Sequence, residues 1–262
     1  MPDIGEVVRG SCLRAMANNR VQNPKCWAKS LDTCSTKLSR EHLITEKLFG
    51  PRSQISVSKT KHFLAGPISR GSLASKILCK AHNAPLSVVD EEALQLFSTL
   101  RAIHAKSKDV TAELADEYHF STNLMERWLL KTLINSVASD AFVWEHPIRS
   151  GGDVVDARYV EVAFGLRKFR GHAGAYLIQR VENLSAWGEY FKVTPLTTEK
   201  GTVGGVVLRF CGLWFLLWTT AHVPIHPSVF RTVNVSGSEL QKLPWDFTVS
   251  SNECQHHILG FA

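Results

Sequence analysis

The chain has 262 residues, 44% of them hydrophobic and 21% charged, with a formal net charge of +6. This length can bury one large core or two ordinary ones, and the composition excludes wholesale disorder and a membrane bundle. The expected class is a globular α+β protein of two domains.

The first residues, Met-Pro-Asp-Ile-Gly-Glu-Val-Val-Arg-Gly, lack the basic segment and apolar run of a secretory signal. The long apolar stretch from Gly204 to Thr220 is broken by Arg209 and falls short of the roughly 18 to 20 residues of a spanning helix. A cytoplasmic protein with no membrane association is therefore expected. Its six cysteines are unevenly spaced, a usage that suits metal binding in a reducing compartment better than a disulfide framework. Cys12, Cys211 and Cys254 stand apart from the rest and read as structural or free thiols.

Residues 1–22 carry no clear periodicity and predict an irregular arm or a short helix. From Asn23-Pro24 the pattern changes. Cys26 follows a turn signal, Cys34 comes eight residues later, and the alternation from Lys37 to Ile44 predicts a short hairpin ending near His42. Gln54 to Lys59 alternates again, with Ile55 and Val57 on one side, and predicts a second short strand. Gly66-Pro67 and Gly71 predict a polar loop whose Ser69, Arg70, Ser72, Ser75 and Lys76 could meet phosphate oxygens.

Cys79-Lys80-Ala81-His82-Asn83 then leads into a helix. Ser87-Val88-Val89-Asp90 fits a capping pattern, and Val89, Ala93, Leu96, Phe97, Leu100 and Ile103 recur at helical spacing to about Ala105. A second helix is expected from about Asn123, with Glu126 completing a capping box and Leu124, Trp128, Leu129, Thr132, Leu133 and Ser136 facing inward. Beyond a boundary at Trp144 to Asp153, Tyr176 to Val181, Tyr190 to Thr194 and Val203 to Thr219 predict an antiparallel sheet with a turn at Glu199 to Thr202. The expected division is an arm (1–22), a zinc and nuclease domain (23–110), a helical connector (111–145) and a β-rich domain (146–262). That last domain is a candidate surface for a protein partner or for self-association.

The charge is unevenly placed. From Arg20 to His82, twelve Lys or Arg face three acids, an excess of nine, whereas the remainder of the chain carries a net −3. All of the positive excess thus lies in the segment bearing the Cys and His residues, the pattern of a surface that meets phosphates. Lys37, Arg40, Arg70, Lys76 and Lys80 are its candidate nucleic-acid contacts. Tetrahedral zinc takes thiolate and imidazole ligands, and Cys26, Cys34, Cys79 and His82 supply three thiols and one imidazole. Nearby, Glu41 and Asn83 offer oxygen ligands for a divalent cation held against a scissile phosphate, with neutral His42 as the base for an attacking water.

Glu41-His42, followed across a loop by Cys79-x2-His82-Asn83 and a helix, resembles the ββα-metal, or HNH, endonuclease motif on a treble-clef zinc scaffold. The resemblance covers roughly Cys26 to Leu100. The chain is also similar to a group of uncharacterised bacterial HNH-like proteins through Ser39 to His42, Leu78 to Ser87 and Glu126 to Thr132. It implies a zinc-bound ββα domain, with His42 as general base, Glu41 as a ligand of catalytic magnesium or manganese, and Asn83 as support for the site. The metal-binding His that many members carry eight or so residues beyond the Asn is replaced here by Glu92, with Asp90 and Glu91 adjacent, so Asp90 and Glu92 are the candidate remaining ligands. The Gly-rich loop common after the strand His is replaced by Thr45-Glu46-Lys47-Leu48-Phe49. The implied activity is hydrolysis of DNA phosphodiesters, in a setting of bacterial or phage defence, although the residues themselves do not separate DNA from RNA. A second expectation is a non-catalytic nucleic-acid-binding or assembly subunit in which zinc only holds the fold.

Overall fold

The computed structural model describes residues 23–49, 55–57, 66–106, 117–139, 155–180, 192–197, 203–210, 213–220, 238–242 and 246–250. The expected arm at 1–22, the boundary at Trp144 to Asp153, the turn at Glu199 to Thr202 and the cysteines Cys12, Cys211 and Cys254 lie outside them. Helices and antiparallel sheets are mixed, which makes the class α+β. Two compact units interleave along the chain: residues 1–90 with 130–168, and residues 91–129 with 169–262. The division passes through both long helices.

In the first unit, β1 (Leu38–His42) pairs antiparallel with β4 (Ala74–Cys79), with Leu38 opposite Cys79 and His42 opposite Ala74. The hairpin expected near His42 therefore forms with a strand more than thirty residues away. That partner escapes periodicity because Ile77, Leu78 and Cys79 are buried in succession rather than alternately. Between them, β2 (Ile55–Val57) pairs with β3 (Gly66–Ile68). Gly66-Pro67 thus belongs to a strand instead of the expected loop, and the turn begins only at Arg70–Leu73.

The short helix α1 (Lys80–Asn83) leads through a 3-10 turn into α2 (Ser87–Lys106). Ser87 does not cap this helix. It already has helical backbone angles, and its hydroxyl donates to the Ala84 carbonyl, while Asp90 accepts from the Thr45 hydroxyl at 2.7 Å. The helix instead continues out of the preceding turn, in which Ser87 N donates to the Ala84 carbonyl.

The second long helix, α3 (Thr122–Ala138), starts one residue before the expected Asn123, with the Ser121 hydroxyl accepting from Leu124 N. The carboxylate of Glu126, expected in a capping box, accepts the backbone N–H of Ala175 at 2.9 Å. Leu124, Trp128, Leu129, Thr132, Leu133 and Ser136 are all buried as expected. The burial also extends to Arg127, Lys131 and Asn135, so the inward set includes polar side chains that the apolar stripe does not predict. A shorter helix, α4 (Ala157–Ala163), is capped by Asp156, whose carboxylate accepts from Arg158 N at 2.9 Å.

The second unit holds a five-stranded antiparallel sheet in the order β10-β6-β9-β8-β7, formed by β6 (Gly174–Arg180), β7 (Lys192–Thr197), β8 (Val203–Phe210), β9 (Leu213–Trp218) and β10 (Ser238–Lys242). The single strand expected from Val203 to Thr219 is a pair, with Phe210 opposite Leu213 and Gly205 opposite Trp218. Val206 to Leu208 and Trp214 to Trp218 are buried on both faces, which explains their unbroken apolar run. Gly205 is required at its place, because a Cβ there would lie 2.4 Å from the Leu217 carbonyl oxygen. A further pair, β5 (Glu117–Ser121) with β11 (Asp246–Ser250), completes the strands. Among the described residues, no helix is long and apolar enough to cross a membrane.

Candidate metal centre

Four short local structures bring four ligands to one place. Asn23 folds the chain back, since its carbonyl accepts from Cys26 N and its side chain accepts from Lys25 N. Trp27 N then donates to the Ile77 carbonyl at 2.9 Å, which ties this turn to β4 just short of Cys79. After a 3-10 turn at Lys29–Leu31, Asp32 takes a left-handed conformation (φ 57°) that redirects the chain into Thr33 and Cys34. Cys79 ends β4, and His82 lies in α1 three residues on.

Cys26, Cys34, Cys79 and His82 are all buried, and their ligand atoms lie within 4.8 Å of one another. His82 Nδ1 is 3.4 Å from Cys26 Sγ, 3.7 Å from Cys34 Sγ and 3.4 Å from Cys79 Sγ. A tetrahedral zinc centre with bonds of about 2.3 Å to sulfur and 2.0 Å to nitrogen has S···N edges of about 3.5 Å. The residues thus fit a structural metal such as zinc in both chemistry and spacing, including Cys26 at the wide C-x7-C separation.

Two of the sulfurs accept hydrogen bonds from the backbone. Ser35 N points at Cys79 Sγ (3.3 Å), and Cys79 N points at Cys26 Sγ (3.4 Å). Burial raises the Cys79 thiol, but the backbone N–H groups of His82 and Ser35 outweigh it and hold the group below its ordinary value. Burial pushes the Cys26 and Cys34 thiols up, and pushes His82 down to about 4. Three sulfurs and a neutral imidazole nitrogen converging in this way, with backbone N–H groups aimed at two of the sulfurs, suit a bound cation, which stabilises the thiolate forms that burial alone disfavours.

The other predicted site residues are distributed differently. Glu41 is buried, and its Oε1 lies 2.7 Å from Lys131 Nζ; Asp90 Oδ2 lies 2.6 Å from the same ammonium. His42 is partly exposed at the end of β1, with Nε2 3.3 Å from Glu46 Oε2. Asn83 is half-buried at the end of α1. Glu92 falls in the other unit, where it accepts the Ser121 N–H. Of the four candidate magnesium ligands, Glu41 and Asp90 are thus brought together on Lys131, and Glu92 is committed elsewhere. Among the described residues, the Cys and His set is the only group of three or more such ligands that converges. Lys37, Arg40, Lys76 and Lys80 are all exposed, with Arg40 also donating to the Gly71 carbonyl. The side chain of Arg70 lies outside the described residues.

Three contributors are absent from any motif. Asn135 accepts from Trp27 Nε1 at 3.0 Å and donates to the His42 carbonyl at 3.1 Å, so it links the segment beside Cys26 to the end of β1. Lys131, one helical turn earlier, holds Glu41 and Asp90. Their i, i+4 spacing, which continues the buried face of Leu124 and Trp128, is the sequence signal for both. Thr33, whose hydroxyl meets His82, is marked only by its place before Cys34. No protein-family model, no characterised protein and no solved structure matches the chain.

Proposed function

We propose that the chain is a zinc-stabilised nucleic-acid-binding protein built on an HNH-like ββα scaffold. The observation that carries this reading is the convergence of Cys26, Cys34, Cys79 and His82 at the end of the β1–β4 pair. Arg40 and Lys76 on those strands, and Lys80 beside the centre, are exposed, in the segment that holds all the positive excess of the chain. Zinc would supply a cross-link in place of a larger core, fixing the cations for phosphates. Titrating labelled duplex DNA and RNA across a salt series tests it. Binding that weakens linearly in log K against log salt, and is lost with the metal, is expected; salt-insensitive binding or none at low salt overturns the reading.

Metal-dependent DNA cleavage is a second reading, favoured by the His42–Glu46 pair. A partly exposed imidazole with a carboxylate at 3.3 Å is oriented as a general base would be. His42 would take the proton of a water attacking phosphorus, while a divalent ion stabilised the departing oxygen. For Glu41 and Asp90 to hold that ion, Lys131 would have to leave them. Nicking of plasmid DNA in magnesium or manganese that disappears in His42→Ala is the expected result. Equal cutting by both proteins removes His42 from the chemistry, and no cutting by either leaves the binding reading alone.

A further inference from the structure

The two ring nitrogens of His82 face different partners. Nδ1 points at the three sulfurs, at 3.4 to 3.7 Å, and Nε2 lies 2.8 Å from Thr33 Oγ1. The ring is further bounded by Phe164, edge-on at 5.7 Å between centroids and 77° between planes. We infer that Thr33 is a positioning residue of the metal centre: its hydroxyl accepts the Nε2 proton and so presents the Nδ1 lone pair of His82 as the fourth ligand.

The chemistry requires one nitrogen to carry the proton and the other to donate to metal, and the hydrogen bond made by one nitrogen selects the role of the other. Thr33 is suited to this. The left-handed turn at Asp32 sends Thr33 and Cys34 toward the same ring, so one backbone feature places both a thiol ligand and the group that orients the imidazole. A threonine hydroxyl on a branched Cβ has few rotamers, so it holds its acceptor in place at small entropic cost. The competing account is a hydroxyl that merely satisfies a buried nitrogen, with Nε2 free to exchange roles with Nδ1.

This inference rests on the metal reading, and the experiment separates the two. The full chain is purified and loaded with zinc, and its affinity is measured by chelator competition for wild type, Thr33→Val and Thr33→Ser. Valine keeps the shape and removes the acceptor, whereas serine restores it. Loss of outer hydrogen bonds to ligating histidines typically weakens metal binding about 10- to 100-fold, so a drop of that order in Thr33→Val with recovery in Thr33→Ser is expected. Long-range proton–nitrogen NMR of zinc-loaded wild type supplies a readout that does not depend on a variant folding. It should show a protonated Nε2 and a metal-bound Nδ1 in His82. Zinc bound through Nε2, or equal affinity in Thr33→Val, overturns the role of Thr33 while leaving the metal centre standing. Failure of wild type to take up zinc or cobalt overturns the metal reading and the inference together.

Discussion

Lys131 Nζ lies 2.7 Å from Glu41 Oε1, and both side chains are buried, so the carboxylate expected from the sequence to hold a divalent ion instead faces a cation from the same chain. Asp90 completes the arrangement at 2.6 Å, and Asn135 and Thr45 donate to the two carboxylates. Charges taken out of water in this way are tolerated because each is paired, and removing one partner strands the others. Lys131→Met should therefore destabilise the protein by about 3 to 5 kcal/mol in urea unfolding. Adding Glu41→Gln to it should recover part of the loss. A change for Lys131→Met smaller than about 1 kcal/mol would mean that water reaches the pair.

The metal centre should contain one zinc per chain by elemental analysis, and Cys34→Ser or Cys79→Ser should lose it. Because four ligands from separate short segments meet only in the folded state, metal-binding energy is also folding energy. Stripping zinc with a chelator should lower the melting temperature and release the β1–β4 pair, seen as faster amide exchange at Leu78 and Cys79. Unchanged melting after complete metal removal would refute the structural role.

Lys76 and Lys80 are exposed beside the centre and make no ion pair among the described residues. On the nucleic-acid-binding reading, Lys76→Ala and Lys80→Ala should each weaken binding without altering sequence preference. Each should also reduce the slope of log K against log salt by about one unit. Slopes identical to wild type in both variants would place the phosphate path elsewhere.

The Asp156 cap offers a test confined to one helix end. Its side chain accepts from Arg158 N, and Asp156→Ala should cost about 1 kcal/mol, measured by chemical denaturation. Hydrogen bonding from the Arg158 guanidinium holds the Asp156 carboxyl below its ordinary value of 3.8. The folded state therefore binds this proton less readily than the unfolded chain. The charge-dependent part of the cap is complete above pH 3.8 and is lost as the pH falls through the lower folded value. The difference between wild type and variant should shrink over that acidic range; a constant difference would show that the carboxylate charge contributes nothing.

The sequence by itself picked out the four residues of the candidate metal centre, because thiol and imidazole are chemically distinctive and sit in short segments whose turns are locally encoded. It also determined α2, through its 3.6-residue apolar period, and the strands Leu38–His42 and Ile55–Val57 through alternation. Only tertiary structure decided that β4 is the partner of β1, since pairing across more than thirty residues leaves no local trace. It also divided the run after Val203 into two strands, because a strand buried on both faces has no alternation to mark its end. The same reason governs the candidate catalytic residues. Glu41, His42 and Asn83 announce their chemistry by type and order, but what a carboxylate can bind depends on which charge lies beside it. Lys131 comes to Glu41 from ninety residues away, and folding alone supplied that cation.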